Sequence, residues 1–161
     1  MPRAKASRRA ARPRKGGRVK EAPARIRYLE SSAVLAALLE QDASALRALR
    51  VPGRRLTSAL TLTETNRAVV RARVTGRLSA TQERAALQAL QTFGRRCTIV
   101  SVGDAVLQRA SRPFPAEPIR TLDAIHLATA ELLADPPPLI TIVTRNSRVR
   151  DNALALGYAV E

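Results

Sequence analysis

The sequence predicts an α/β fold in which a central parallel sheet of four to five strands is covered by helices on both faces. Two observations carry this prediction. Short apolar runs of strand length alternate along the chain with longer segments of helix-forming residues, and strands separated by helices pair in parallel beneath a cover on each face. The hydrophobic content is 45% but aromatic residues make up 2% and Trp is absent, so the core must be built from Leu, Val, Ile and Ala. A chain of 161 residues fits one domain with a sizeable core.

The elements follow in order. "RIRYLE" reads as the first strand, "SSAVLAALLEQ" and "ASALRALR" as helices, and "RRLTSA" as a short strand after the turn at Pro52 and Gly53. "TLTETNRAVVRARVTG" carries apolar and small residues at helical spacing and meets a C-cap at Gly76. "SATQERAALQALQTFG" starts at a candidate N-cap, Ser79, has Glu83 in its first turns and closes on Gly94, so these two segments form a helical hairpin. "CTIVSV" is a strand and "GDAVLQRAS" a short helix, and Pro113, Pro115 and Pro118 make "RPFPAEP" a loop. "TLDAIHLATAELLA" is the strongest helical pattern, with Leu122, Ile125, Thr129 and Leu132 along one stripe. After "DPPP", "LITIVT" has the composition of a buried strand, "NSRVRDNALALG" is a helix ending at Gly157, and "YAV" is a last short strand.

The formal charge of +15 is unevenly placed, since eleven of the 28 basic residues but only Glu21 of the 13 acids fall in residues 1 to 27. Residues 1 to 25 have no apolar periodicity and read as a disordered basic extension ahead of a domain over 26 to 161. Every cation after residue 27 is arginine, which suits bidentate phosphate contacts. With so few aromatic residues, stacking of nucleobases on aromatic platforms is not the expected binding mode. One cysteine, Cys97, excludes an internal disulfide, and together with the single histidine, His126, it cannot furnish a tetrahedral zinc site. A bound metal must therefore be held mainly by oxygen. No apolar run reaches the ~20 residues of a membrane span, and the first residues lack the apolar centre of a secretory signal, so a cytoplasmic location is expected.

Four polar residues lie at strand ends or helix starts: Glu30, Glu64, Asp123 and Asn146. Glu30 ends the first strand and Asn146 follows "LITIVT", which puts both at the carboxyl edge of a parallel sheet, where ligands bind in open α/β folds. Each has an ordinary explanation when taken singly. Asp123 and Glu64 complement helix dipoles, Asn146 is a favoured N-cap, and Ser31 or Ser32 caps the first helix. As a set they point further, because clustered carboxylates repel unless a cation joins them, and a hard divalent ion such as Mg²⁺ or Mn²⁺ takes oxygen ligands. His126, one turn after Asp123, reads as a packing or hydrogen-bonded residue. The chain holds no Gly-x-Ser-x-Gly nucleophile turn and no Gly-rich phosphate loop.

The segments "YLESSAVLAALLE", "TSALTLTETNRAVVRA", "RTLDAIHLATA" and "IVTRNSRVRDNALALGYAV", in this order, resemble the PIN domain, in particular the VapC-like toxins of type II toxin–antitoxin pairs. The resemblance runs from about residue 26 to the end. It implies a PIN-like three-layer sandwich and a Mg²⁺- or Mn²⁺-dependent ribonuclease, with a cognate antitoxin, RNA as substrate and a homodimer. The family's four acidic positions fall on Glu30, Glu64, Asp123 and Asn146, where it usually has aspartate at the first and fourth. Glu30 keeps the charge but moves its oxygens outward by one methylene, roughly 1.3 to 1.5 Å. Asn146 keeps a carbonyl oxygen and loses a charge; Asp151, further along the same helix, is a candidate to compensate, although a surface ion-pair role is the simpler expectation for it. The resemblance also makes Ser32 and Thr144 candidate donors that orient the carboxylates, and Arg120, Arg145 and Arg148 candidate RNA-backbone contacts. An alternative reading is a PIN-fold RNA- or protein-binding module whose acidic site is degenerate. A third is DNA binding through the basic tail.

Overall fold

The computed structural model describes residues 25–161, so the basic extension expected over residues 1 to 25 lies outside the described residues save for Arg25. The chain runs β1 (Ile26–Leu29), α1 (Ser31–Leu38), α2 (Ala43–Arg50), β2 (Arg54–Ser58), α3 (Ala59–Val74), α4 (Ala80–Arg95), β3 (Thr98–Val100), α5 (Asp104–Ala110), α6 (Thr121–Glu131), β4 (Ile140–Val143), α7 (Ser147–Ala155) and β5 (Ala159–Val160). The five strands form one fully parallel sheet in the order β3-β2-β1-β4-β5, within the four to five expected.

The pleat of the short central strand divides the core in two. Ile26 and Tyr28 of β1, with Ile140 and Ile142 of β4, pack against Val106, Ala124, Leu127, Ala128, Val149 and Ala153 from α5, α6 and α7. Leu29 and Val143 point the other way, toward Ala33, Val34, Ala48 and Leu90 from α1, α2 and α4. Helices therefore cover both faces, and β1 is buried along its whole length.

Most boundaries follow the local chemistry. Ser79 caps α4 in a reciprocal capping box, but its partner is Gln82 rather than Glu83. Gly76, just beyond α3, has φ +73°, the left-handed conformation that ends a helix. Gly94 does not close α4: it lies inside the helix, where a side chain would meet Leu62, and the turn bonds from Arg96 and Cys97 back to Phe93 and Gly94 end the helix instead. The stripe Leu122, Ile125, Thr129 and Leu132 is split: Thr129 is buried and Ile125 half-buried, but Leu122 and Leu132, the latter at the C-cap of α6, are 45% and 50% exposed. The face turned inward is made of Asp123, Ala124, His126, Leu127, Ala128, Thr129 and Ala130, whose mostly small side chains let the helix sit close to the sheet.

The turn into β2 gives a first prediction. Gly53 has φ +146°, and a Cβ there would lie 2.4 Å from the Arg25 carbonyl oxygen, which accepts the Arg54 N–H at 3.1 Å. Gly53→Ala is expected to destabilise the fold by about 1–3 kcal/mol, read as a lower denaturation midpoint, because the clash is with backbone and cannot be relieved by a rotamer change.

Candidate active site

The carboxyl ends of β1 and β4 lie side by side at the point where the chain leaves the sheet in opposite directions, the place where parallel α/β sheets open a crevice. Glu30 follows β1 directly, and its N–H donates to the Val143 carbonyl of β4 at 3.0 Å. It occupies the N-cap position of α1 but makes no side-chain cap bond. Its carboxylate is 2% exposed and instead receives three hydroxyl donors: Ser31 Oγ at 2.6 Å, Thr144 Oγ1 at 2.8 Å, and Ser32 Oγ. Neither serine caps α1, contrary to the simple expectation; both donate to the acid before them. These three bonds compensate a buried charge that would otherwise cost several kcal/mol.

Ser32 and Thr144 also tie the two loops together. Ser32 Oγ accepts the Arg145 N–H at 2.8 Å, and Thr144 Oγ1 accepts the Asn146 N–H at 3.0 Å. Thr144→Val removes a donor from buried Glu30 and an acceptor from the β4–α7 turn. The expected cost is about 1–3 kcal/mol, measured by denaturant unfolding, and a smaller loss is expected for Ser32→Ala because Ser31 and Thr144 remain.

Asp123 and Asn146 meet across α6 and α7. Asn146 is the N-cap of α7, with Oδ1 accepting the Arg148 N–H at 3.0 Å, while Nδ2 donates to Asp123 Oδ1 at 2.8 Å. Capping and site geometry thus use the two ends of one amide, and the nitrogen faces the acid. Asp123 Oδ2 is buried with no hydrogen-bond partner among the described residues. Burial first, and then the Glu30 charge, hold the Asp123 carboxyl above its ordinary range, against the opposing pull of Asn146, His126 and Arg120.

Glu64, on the second turn of α3, reaches His126 with Oε2 2.7 Å from Nε2. Burial pushes its carboxyl up, but the hydrogen bond and charge of His126, with a bond to Ser31, outweigh that and leave it below its usual range. His126 is 1% exposed, its Nδ1 lies 3.0 Å from the Tyr28 hydroxyl, and its Nε2 stands 3.8 Å from Glu30 Oε1. The histidine is hydrogen-bonded, as its sequence position suggests, but it also joins two acids from different elements.

All four singled-out residues, Glu30, Glu64, Asp123 and Asn146, thus belong to one contact network with Ser32, Thr144 and His126 at the carboxyl edge of the sheet. Ser31 and His126 were not singled out as members; the serine doublet after Glu30 and the one-turn spacing from Asp123 to His126 are the signals that mark them. Arg120 and Arg148 are exposed at the N-terminal ends of α6 and α7. Arg145 turns away to α2, donating to Ser44 Oγ at 2.6 Å and lying 3.8 Å from Asp42. Asp151 is exposed and forms no ion pair among the described residues.

The donor set suits a divalent cation. An orphaned, buried carboxylate oxygen on Asp123 and a group of one atom each from Glu30, Glu64 and His126, all within 4.8 Å of one another, are what a cation would satisfy.

A family model for the PIN domain matches residues 27–154. The chain belongs to the PIN domain family. It is 38% identical over 135 residues to a Mycobacterium tuberculosis protein named ribonuclease VapC46, covering 83% of this chain and 94% of that one. It is 34% identical over 137 residues to ribonuclease VapC35 of the same species, covering 83% and 93% of the two chains. Among solved structures, M. tuberculosis VapC20, described as a sarcin–ricin loop cleaving toxin, superposes with a TM-score of 0.58 at 18% identity over 83% of this chain and 96% of that one. The Rickettsia felis VapBC2 complex, bound to a fragment of promoter DNA, gives 0.55 at 16% identity over 84% and 97%. These two likenesses carry the PIN-domain fold, and the curated relatives carry the VapC-like branch of the family.

Proposed function

We propose that this PIN-domain protein is a metal-dependent endoribonuclease, the toxin of a VapBC-like toxin–antitoxin pair, hydrolysing RNA phosphodiester bonds. The observation that carries the reading is the approach of Glu30, Glu64 and His126 within 4.8 Å of one another, beside an Asp123 that feels the Glu30 charge and has a carboxylate oxygen unsatisfied among the described residues, in a chain related to proteins named ribonucleases. Glu30, Glu64 and Asp123 would hold Mg²⁺ or Mn²⁺, which supplies charge neutralisation at the phosphate and a water of lowered pKa. Asn146 orients Asp123 and caps α7. Ser32 and Thr144 orient Glu30, a kind of support worth ~10 to 100-fold in metal affinity or activity. Arg120 and Arg148 are exposed at the N-terminal ends of α6 and α7 and suit the RNA backbone; Arg145, bound to Ser44, contributes through its backbone N–H to Ser32.

The partner is a cognate antitoxin, a reading supported by solved relatives that are toxin–antitoxin complexes. A homodimer through the α3–α4 hairpin is supported by Val74, 81% exposed, and Val70 on the outer surface of α3. No described helix is long and apolar enough to cross a membrane, and the proposed location is the cytoplasm. The basic extension over residues 1 to 25 would add electrostatic attraction for RNA.

The test is cleavage of a mixed single-stranded RNA by the full chain in Mg²⁺, Mn²⁺ or EDTA. Cleavage that needs a divalent ion and vanishes in Asp123→Ala supports the nuclease. RNA or antitoxin binding with no cleavage in any metal would establish the alternative, a PIN-fold binding module with a degenerate site, which the closed contact between Asn146 and Asp123 favours.

A further inference from the structure

The site is short of oxygen on one side and offers nitrogen on another. Asn146 gives its carbonyl oxygen to the Arg148 N–H and presents Nδ2, not oxygen, to Asp123. On the opposite side, His126 Nε2 stands 2.7 Å from Glu64 Oε2 and 3.8 Å from Glu30 Oε1. Ligands bonded to one metal ion at about 2.0–2.2 Å lie roughly 3 Å or slightly more apart, so these three atoms need only small shifts to share a cation. Metal-ligating histidines anchor the second ring nitrogen on a fixed polar partner, which sets tautomer and ring orientation. His126 has that anchor: its Nδ1 lies 3.0 Å from the hydroxyl of Tyr28, a residue 1% exposed. The Tyr28 hydroxyl oxygen can accept from Nδ1–H at that distance. Asp123, 7% exposed and near enough to feel the charges of Glu30 and His126, adds a buried oxygen with no partner among the described residues.

We propose that His126 Nε2 is itself a ligand of the site's divalent cation, joining Glu30 and Glu64 in a mixed nitrogen–oxygen set that prefers Mn²⁺ or another first-row transition ion to Mg²⁺. The proposal rests on the metal-dependent reading above and specifies its metal. As a ligand His126 would offer the Nε2 lone pair and carry its proton on Nδ1, the nitrogen that faces the Tyr28 hydroxyl. Imidazole suits the transition ions, whereas Mg²⁺ demands near-octahedral oxygen and keeps its waters. The competing arrangement leaves His126 outside the coordination sphere, donating to Glu64 from behind.

A single histidine makes the test specific. The full chain, without a histidine tag, is loaded with Mn²⁺ and studied by electron spin echo envelope modulation, once with natural-abundance nitrogen and once with ¹⁵N-histidine. A directly bound nitrogen whose modulation changes from the ¹⁴N to the ¹⁵N pattern on histidine labelling is the expected result, with Mg²⁺ displacing Mn²⁺ only at tenfold or greater excess. The label leaves every contact intact, so the outcome does not depend on a variant folding; Tyr28→Phe is expected to retain the nitrogen signal while weakening Mn²⁺ binding several-fold. Mn²⁺ bound with no histidine nitrogen modulation overturns the proposal and leaves the metal-dependent nuclease standing. A chain that binds no Mn²⁺ and cleaves no RNA overturns both.

Discussion

Replacing Asp123 by asparagine is expected to lower RNA cleavage by on the order of 10² to 10³-fold and, in EDTA at neutral pH, to raise the melting temperature. The two effects share one cause. Asp123 is buried beside Glu30 with one oxygen unpartnered, so its charged form is disfavoured in the metal-free fold and its pKa is raised. An acid with a raised folded pKa binds more protons folded than unfolded over the interval between the two values. Stability therefore falls as pH rises through that interval, starting near the ordinary aspartate value, and stays reduced above it. Asparagine removes this penalty and still accepts the Asn146 bond. The advantage of the variant over the wild type should shrink as pH is lowered toward the ordinary aspartate range. A cation reverses the balance, because the same unsatisfied carboxylate becomes a ligand worth several kcal/mol, which sets the size of the loss in rate. Thermal melts from pH 4 to 8 with and without Mn²⁺, beside a cleavage assay, measure both arms. Cleavage within a few-fold of wild type would remove Asp123 from the site.

Asn146→Asp is the second large effect, and its sign changes with metal. The substitution keeps the cap on α7, since aspartate accepts from an N-terminal N–H as well as asparagine does. It replaces the Nδ2 donor, 2.8 Å from Asp123 Oδ1, with a second carboxylate oxygen. Two acids in contact repel, and without metal the variant should lose about 1–3 kcal/mol. At about 2–4 °C of melting temperature per kcal/mol for a domain near this size, the shift is readily seen. With metal the added charge becomes a ligand, and affinity by titration calorimetry should rise at least tenfold, with cleavage rising alongside it. Equal melting in EDTA and unchanged affinity would show that position 146 serves only as a helix cap.

The outcome at this position also bears on how the chain departs from the usual family pattern. Glu30 carries its oxygens further from the strand than aspartate would, and Ser31, Ser32 and Thr144 hold that longer side chain from three directions. A longer acid with three hydroxyl supports and a neutral partner at the fourth position is a consistent local arrangement, and it leaves His126 Nε2 as the nitrogen that stands next to both Glu30 and Glu64.

The alternation of strand-length apolar runs with helix formers was enough to predict the parallel sheet and its two helical layers, because period and turn chemistry are local properties of the chain. An acid closing a buried strand was likewise legible in Glu30, since burying a charge without a reason is costly. The inner face of α6 was not, because Leu122 and Leu132 are large and apolar yet exposed, while of that stripe only Thr129 is fully buried, beside small Ala124, Ala128 and Ala130 and polar Asp123 and His126. Side-chain size along one helix does not reveal how closely a sheet approaches it. Three further facts belong to the tertiary structure alone: the Asn146 amide turned with its nitrogen to Asp123, the Arg145 guanidinium drawn to Ser44, and His126 set between Glu64, 62 positions before it, and Tyr28, 98 positions before it. Each depends on where a second element lies in space, and the hydrogen-bonding and charge energies that decide between orientations act over a few ångströms rather than along the chain.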